Sequence, residues 1–203
     1  LANKAKDNKK GISETLRLIG VAYYEIGDYS EALNQYEKAL RINKEINNEE
    51  GISRCLMNIG NIYIVEGNYP LAIEYQHEAL KINEKRKDTT SISLSLNNLG
   101  VIYNNLGNQE KAIPFVEKAL EIQKKSGDKK RIAETLNNLG TLYNNMENYD
   151  EGYKYLKEAL YLNQEINNKF NEGYTLNSIG YVFLNKKKYH NSLEYYEKAR
   201  VIN

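Results

Sequence analysis

The sequence predicts an all-α fold, an α-solenoid of stacked antiparallel helix pairs. Three observations carry this. A block of forty residues recurs five times, each block holds two apolar stripes at helical spacing, and a turn signal separates the stripes. The first stripe reads "LRLIGVAYY" (16–24), then "LMNIGNIYI" (56–64), "LNNLGVIYN" (96–104), "LNNLGTLYN" (136–144) and "LNSIGYVFL" (176–184). The second reads "GDYSEALNQYEKALRIN", "GNYPLAIEYQHEALKIN", "GNQEKAIPFVEKALEIQ", "ENYDEGYKYLKEALYLN" and "KKYHNSLEYYEKARVIN". No insertion or deletion interrupts the period. One such unit buries too little apolar surface to stand alone, so neighbours must stack into a continuous core.

Taken in order, the stripes predict helices over 12–26 and 29–46, then over 51–66 and 69–86. Pro70 falls in a first turn, where its missing N–H is harmless. The third block predicts helices over 91–106 and 109–125. Leu96, Leu99, Gly100 and Tyr103 share one face of the first, and Ala112, Val116, Ala119, Leu120 and Ile122 mark the apolar face of the second. Between them Gly107 can take the left-handed cap and Asn108 can cap the next helix. Pro114 lies too deep in its helix for first-turn tolerance and predicts a bend, since position 114 cannot donate to the carbonyl of Glu110. The last helices are expected over 131–146, 149–166, 171–186 and 189–203. Glycine at 20, 60, 100, 140 and 180, and alanine at 39, 79, 119, 159 and 199, predict close helix contacts.

Composition excludes several functions. The formal charge is +1, with lysine runs such as "KKSGDKK" (124–130) interrupted by acids, which argues against a nucleic-acid footprint. No apolar run is long enough for a membrane span. His77, His190 and the lone Cys55 cannot build a four-ligand zinc site, and no phosphate-binding glycine motif occurs. Cys55 reads as a small, partly buried helix residue rather than a nucleophile. The chain reads as non-catalytic, with no cofactor. A single cysteine fits a reducing, cytoplasmic compartment.

The same residues resemble the tetratricopeptide repeat, whose signature runs L-G-x-x-Y, then A, an aromatic, and A. Ile19, Gly20, Tyr23, Ala32, Tyr36 and Ala39 match it, as do Leu99, Gly100, Tyr103, Ala112 and Ala119. The signature's first Trp is Leu here (Leu16, Leu56, Leu96, Leu136, Leu176), and its closing Pro is absent, which lengthens the second helix. Gly152 and Ser192 stand in for the small Ala. Gln76, Val116 and Leu156 lose the aromatic and read as weaker packing sites. The forty-residue form is similar to repeats of kinesin light chains, Pins-type adaptors and bacterial signalling proteins.

The resemblance implies a right-handed superhelix and an interaction module that takes a protein or peptide in its concave groove, as the sensory or docking part of a bacterial signalling protein. The alternative is a structural spacer or oligomerisation array without a groove ligand. Residues 1–10 align with 41–50 and are expected to be the tail of a preceding repeat. Repeats then span 11–50, 51–90, 91–130, 131–170 and 171–203. The uncapped ends suggest an array excised from a longer protein, able to pair with further copies.

The asparagines of "NNLG" need a reason, because Asn is about 0.6 kcal/mol worse than Ala in a helix. On a helical wheel Asn98, Val101 and Asn105 lie opposite the apolar face, while Asn97 and Asn104 fall on a flank that an adjacent repeat can cover. Residue patterning leaves two explanations, a solvated face in an Asn-rich chain or a ligand contact. The resemblance implies that first helices line the groove and that Asn58, Asn98 and Asn138 bond a peptide backbone. Ser178 would replace them weakly and Leu18 not at all. A carboxamide offers donor and acceptor together. The expected groove is Asn58, Asn61, Asn98, Val101, Asn105, Asn138, Thr141, Asn145 and Tyr181, with Tyr24, Leu94 and Tyr174 as apolar or stacking neighbours. It is nearly neutral: Arg17 and Arg54 stand beside Glu14 and Glu25.

Overall fold

The computed structural model describes residues 2–202, with side chains from residue 5 onward. Among them are ten α-helices and no strand: α1 (Ala2–Glu25), α2 (Tyr29–Glu45), α3 (Glu49–Val65), α4 (Tyr69–Arg86), α5 (Thr89–Asn105), α6 (Gln109–Ser126), α7 (Lys129–Asn145), α8 (Tyr149–Glu165), α9 (Lys169–Asn185) and α10 (Tyr189–Ile202). The chain forms two compact units that divide within α5, one ending at Asn98 and the other starting at Leu99. In the first, α1 to α4 pack in succession, and α1 also touches α3. In the second, α6 to α10 pack in succession, and α7 also touches α9. Each unit is therefore a stack of helix hairpins in chain order.

The turns explain the spacing. Gly27, Gly67 and Gly107 adopt the left-handed conformation after α1, α3 and α5, and Gly127 does so after α6. Glycine does this without steric penalty. Asp28, Asn68 and Asn108 then accept a bond from the backbone N–H three residues on, the capping geometry. Asn48, Asp128 and Asn168 hold the N-cap positions of α3, α7 and α9, so these helices start two residues before their expected beginnings. α5 likewise starts at Thr89, with Asp88 accepting from the backbone N–H of Ser91.

The first helix was expected from residue 12, and α1 begins instead at Ala2 and runs unbroken to Glu25. Later turns at this register are fastened by their surroundings. At 46–48, for example, the backbone N–H of Asn48 donates to Asn43 O, and Asn43 itself is buried against α3. α1 has no turn at this register and satisfies its backbone groups by continuing the helix.

The cores are apolar where the periodicity predicts. Ala32, Tyr36, Ile59 and Ile62 cluster in the first unit, and Leu156, Ile179 and Val182 in the second. The first-helix glycines let the paired helices approach. A Cβ added to Gly140 would lie 2.5 Å from Leu156 Cγ, and one added to Gly152 only 2.9 Å from Gly140 O. Each of these glycines faces the second-helix residue sixteen positions later: Tyr36, Gln76, Val116, Leu156 and Tyr196. Gln76, Val116 and Leu156 are each 0% exposed, so the loss of the aromatic does not weaken burial at those sites.

A buried polar line, absent from the expectations, runs through the hairpins. Asn43, Asn83, Gln123 and Asn163 recur near the ends of the second helices and are all buried. Ser13 Oγ donates to Asn43 Oδ1 at 3.1 Å and Ser53 Oγ to Asn83 Oδ1 at 2.6 Å. Onward, Asn43 Nδ2 donates to Cys55 Sγ and Asn163 Nδ2 to Thr175 Oγ1. These bonds tie α2 to both α1 and α3, α4 to α3, and α8 to α9. Cys55 is thus fully buried rather than partly so, and burial pushes its thiol up to about 11 despite the Asn43 bond. A thiol held protonated in this way is a poor nucleophile.

Candidate functional site

The first helices place the expected residues in two settings. In the second unit, the end of α5 and the faces of α7 and α9 enclose two adjoining hollows. One, of about 250 Å³, is lined by Gly100, Val101, Asn104, Asn105, Val116, Asn138, Thr141, Leu142 and Tyr174. The other, of about 290 Å³, is lined by Thr141, Asn144, Leu156, Tyr174, Asn177, Ser178 and Tyr181. Thr141 and Tyr174 belong to both, so the hollows form one groove across α7. Of the expected residues this groove gathers Val101, Asn105, Asn138, Thr141 and Tyr181.

Val116 and Leu156 form the groove floor although they sit on α6 and α8. A glycine on the first helix has no side chain to close the gap over the second, as Gly100 does above Val116. Spacing alone predicts close packing for these glycines. They also bring Val116 and Leu156, both buried, directly beneath the hollows as a closed apolar floor. The rim is uncharged: amides, hydroxyls and the exposed rings of Tyr174 and Tyr181. Such a lining favours a segment that brings its own apolar anchors and satisfies its polar backbone against amides.

Other expected residues are partly occupied by neighbours. Asn145 Nδ2 donates to Asn104 Oδ1 at 3.0 Å, linking α7 to the end of α5. Asn185 Nδ2 donates to Asn144 Oδ1 at 3.4 Å, a similar rung between α9 and α7. In the first unit, Asn98 Nδ2 donates to Asn61 Oδ1 at 2.9 Å. Asn58 is half-buried and its Nδ2 lies buried without a partner, so that amide points away from solvent. The carboxamides therefore brace successive first helices as well as line a surface. Thr141, which lines both hollows, donates its Oγ1–H back to Asn137 O at 3.0 Å.

Among the described residues no group of His, Cys, Asp and Glu is placed to hold a metal ion. Among the same residues no helix is long and apolar enough to cross a membrane.

Models of the tetratricopeptide repeat match residues 13–46, 52–125 and 131–202. The chain belongs to the tetratricopeptide repeat family. Tetratricopeptide arrays are as a class scaffolds for protein–protein interaction, and the hairpin stack described above is that architecture. No curated protein matches the sequence. Among solved structures, the array is similar to BtubC (BKLC) from P. vanneervenii, with 21% identity and a TM-score of 0.83 over 100% of this chain and 84% of that one. It is similar to a Rap protein complexed with competence and sporulation factor, with 18% identity and a TM-score of 0.84 over 92% of this chain and 52% of that one. A third likeness is to a signal transduction ATPase with numerous domains that carries a tetratricopeptide repeat sensor, from Pyrococcus horikoshii. There the identity is 24% and the TM-score 0.76, over 94% of this chain and 29% of that one. At these identities the likeness is one of fold, and the array spans about half or less of the last two proteins.

Proposed function

We propose that this tetratricopeptide array is a non-catalytic module that binds an extended peptide or protein segment along its first-helix face. The observation that carries the reading is the uncharged groove across α5, α7 and α9, with Val116 and Leu156 beneath an amide and tyrosine rim. In this reading Asn58, Asn61 and Asn98 belong to the binding surface of the first unit, and Val101, Asn105, Asn138, Thr141, Asn145 and Tyr181 to that of the second. The array serves as the sensory or docking part of a bacterial signalling protein in a reducing, cytoplasmic compartment. Support comes from two structural neighbours, a Rap protein complexed with competence and sporulation factor and a signal transduction ATPase with a tetratricopeptide repeat sensor.

The test is selection of displayed peptides on the intact chain, followed by titration against wild type and Asn138→Ala with Tyr174→Ala. Loss of a backbone bond and of a ring contact should weaken binding about tenfold or more while the fold persists. Selected peptides that bind the double variant as tightly as wild type would exclude this groove. Failure to select any peptide would favour the spacer or oligomerisation role.

A further inference from the structure

The second repeat departs from the others at its floor. Tyr36, Val116, Leu156 and Tyr196 stand beneath their glycines, but Gln76 stands beneath Gly60 and is 0% exposed. The same repeat alone carries Asn at position 61, where the others have Val21, Val101, Thr141 and Tyr181. A buried carboxamide among apolar floor positions requires hydrogen bonds to justify it. Gln76 Nε2 donates to Met57 O at 3.2 Å and to Asn61 Oδ1 at 3.0 Å. Asn61 Oδ1 also accepts from Asn98 Nδ2 at 2.9 Å.

This chain of bonds has one polarity. The main-chain carbonyl of Met57 can only accept, so Gln76 must turn its amide nitrogen toward it. That nitrogen also faces Asn61, which must then turn its oxygen inward, and the same oxygen draws the amide of Asn98. Each outward end is thereby set: Asn61 keeps Nδ2–H as a donor, and Asn98 keeps Oδ1 as an acceptor. Both residues are half-buried. Stability does not account for Gln76, because its Oε1 remains buried without a partner. An apolar side chain such as Leu156 fills the corresponding position in the fourth repeat with no such penalty.

We propose that Gln76 is a positioning residue that fixes Asn61 and Asn98 as a donor–acceptor pair for one amide group of a bound partner. The pair matches the C=O and N–H of a peptide unit or of a side-chain carboxamide. This subsite rests on the peptide-binding reading and gives its first-unit part a ligand chemistry. Gly60 is a condition for it, because a Cβ there would lie 2.8 Å from Gln76 Nε2.

The experiment follows the side-chain amide signals of Asn61 and Asn98 by nitrogen-edited NMR of the full chain, in wild type, Gln76→Leu and Gln76→Met. N-methylacetamide is the main-chain probe and acetamide the carboxamide probe. In wild type, both signals shift with probe concentration, and the probe with the larger effect identifies the source of the amide. In Gln76→Leu the backbone spectrum and melting temperature hold. The Asn98 amide becomes that of a freely rotating group, and the probe-induced shift falls by about a factor of ten, the worth of one oriented hydrogen bond. Gln76→Met, which conserves volume, gives the same result if leucine perturbs packing. Unchanged Asn61 and Asn98 signals in both variants overturn the positioning role alone. The absence of any probe-induced shift in wild type overturns the subsite and counts against the peptide reading with it.

Discussion

Asn163 is fully buried, and its Oδ1 has no hydrogen-bond partner. Two earlier repeats explain why. Ser13 and Ser53 donate to Asn43 and Asn83 from thirty residues upstream, and the residue thirty upstream of Asn163 is Ala133. Ala133→Ser should supply the missing donor and stabilise the protein by about 1 kcal/mol, since an unmet buried acceptor costs about that much. Urea denaturation checks the sign, and a loss of stability would mean that the serine hydroxyl turns elsewhere. Cys55, on the same polar line, contributes to alkaline behaviour. Its folded thiol titrates near 11 against a reference of 9.0, so the folded chain keeps a proton that the unfolded chain releases. The resulting stability is complete below pH 9 and is lost as pH rises toward 11, at about 1.4 kcal/mol per pH unit. Cys55→Thr reproduces the residue found at Thr175 and should flatten stability between pH 9 and 10. Tyr36, pushed up to about 12 chiefly by burial, adds its own loss from pH 10 upward in both proteins.

At the scale of elements, two positions work against the helices that contain or follow them. Glu147 has a φ of 61° where Gly27, Gly67 and Gly107 occupy the equivalent turns. A side chain in the left-handed region costs about 1–2 kcal/mol, partly offset by the greater freedom of an unfolded glycine. Glu147→Gly should therefore gain about 0.5–1 kcal/mol, read from the melting temperature. Asn47 and Asn167 hold the same region with less penalty, because Asn tolerates it better than most residues. Pro114 lies inside α6 and is exposed, so its ring serves no core. Pro114→Ala restores a bond to Glu110 O and should stabilise by about 1–3 kcal/mol, with new amide-exchange protection at position 114. No gain in stability would show that α6 already accommodates the break at little expense.

Across the whole molecule, charge is dispersed rather than gathered. The formal charge is +1, and ion pairs such as Lys129–Glu165, Lys85–Glu49 and Lys186–Asp150 join helices outside the groove lining. Peptide binding in the neutral groove should consequently change little between low and moderate salt, unlike a clamp held by ion pairs. Titration of a selected peptide at two salt concentrations is the check, and a steep dependence would point to the lysine-rich turns instead.

Much of the molecule was legible in the chain because it depends on local rules repeated five times. Apolar spacing names the helix faces, Gly107 and Asn108 name a turn and a cap, and the period of forty requires stacking. Each of these rests on neighbours within a few residues, where backbone geometry is nearly invariant. The groove floor was not legible. That Val116 packs directly behind Gly100, at the bottom of a hollow, depends on the rotation and separation of two helices. Sequence spacing does not encode those quantities residue by residue. The same holds for the asparagines. A wheel separates Asn98 from the core, but the bond from Asn98 to Asn61, and the turn of Asn61 toward Gln76, exist only once three helices have packed. Helix identity follows from short-range periodicity, whereas the chemistry of the surface follows from which side chains packing brings within hydrogen-bond reach.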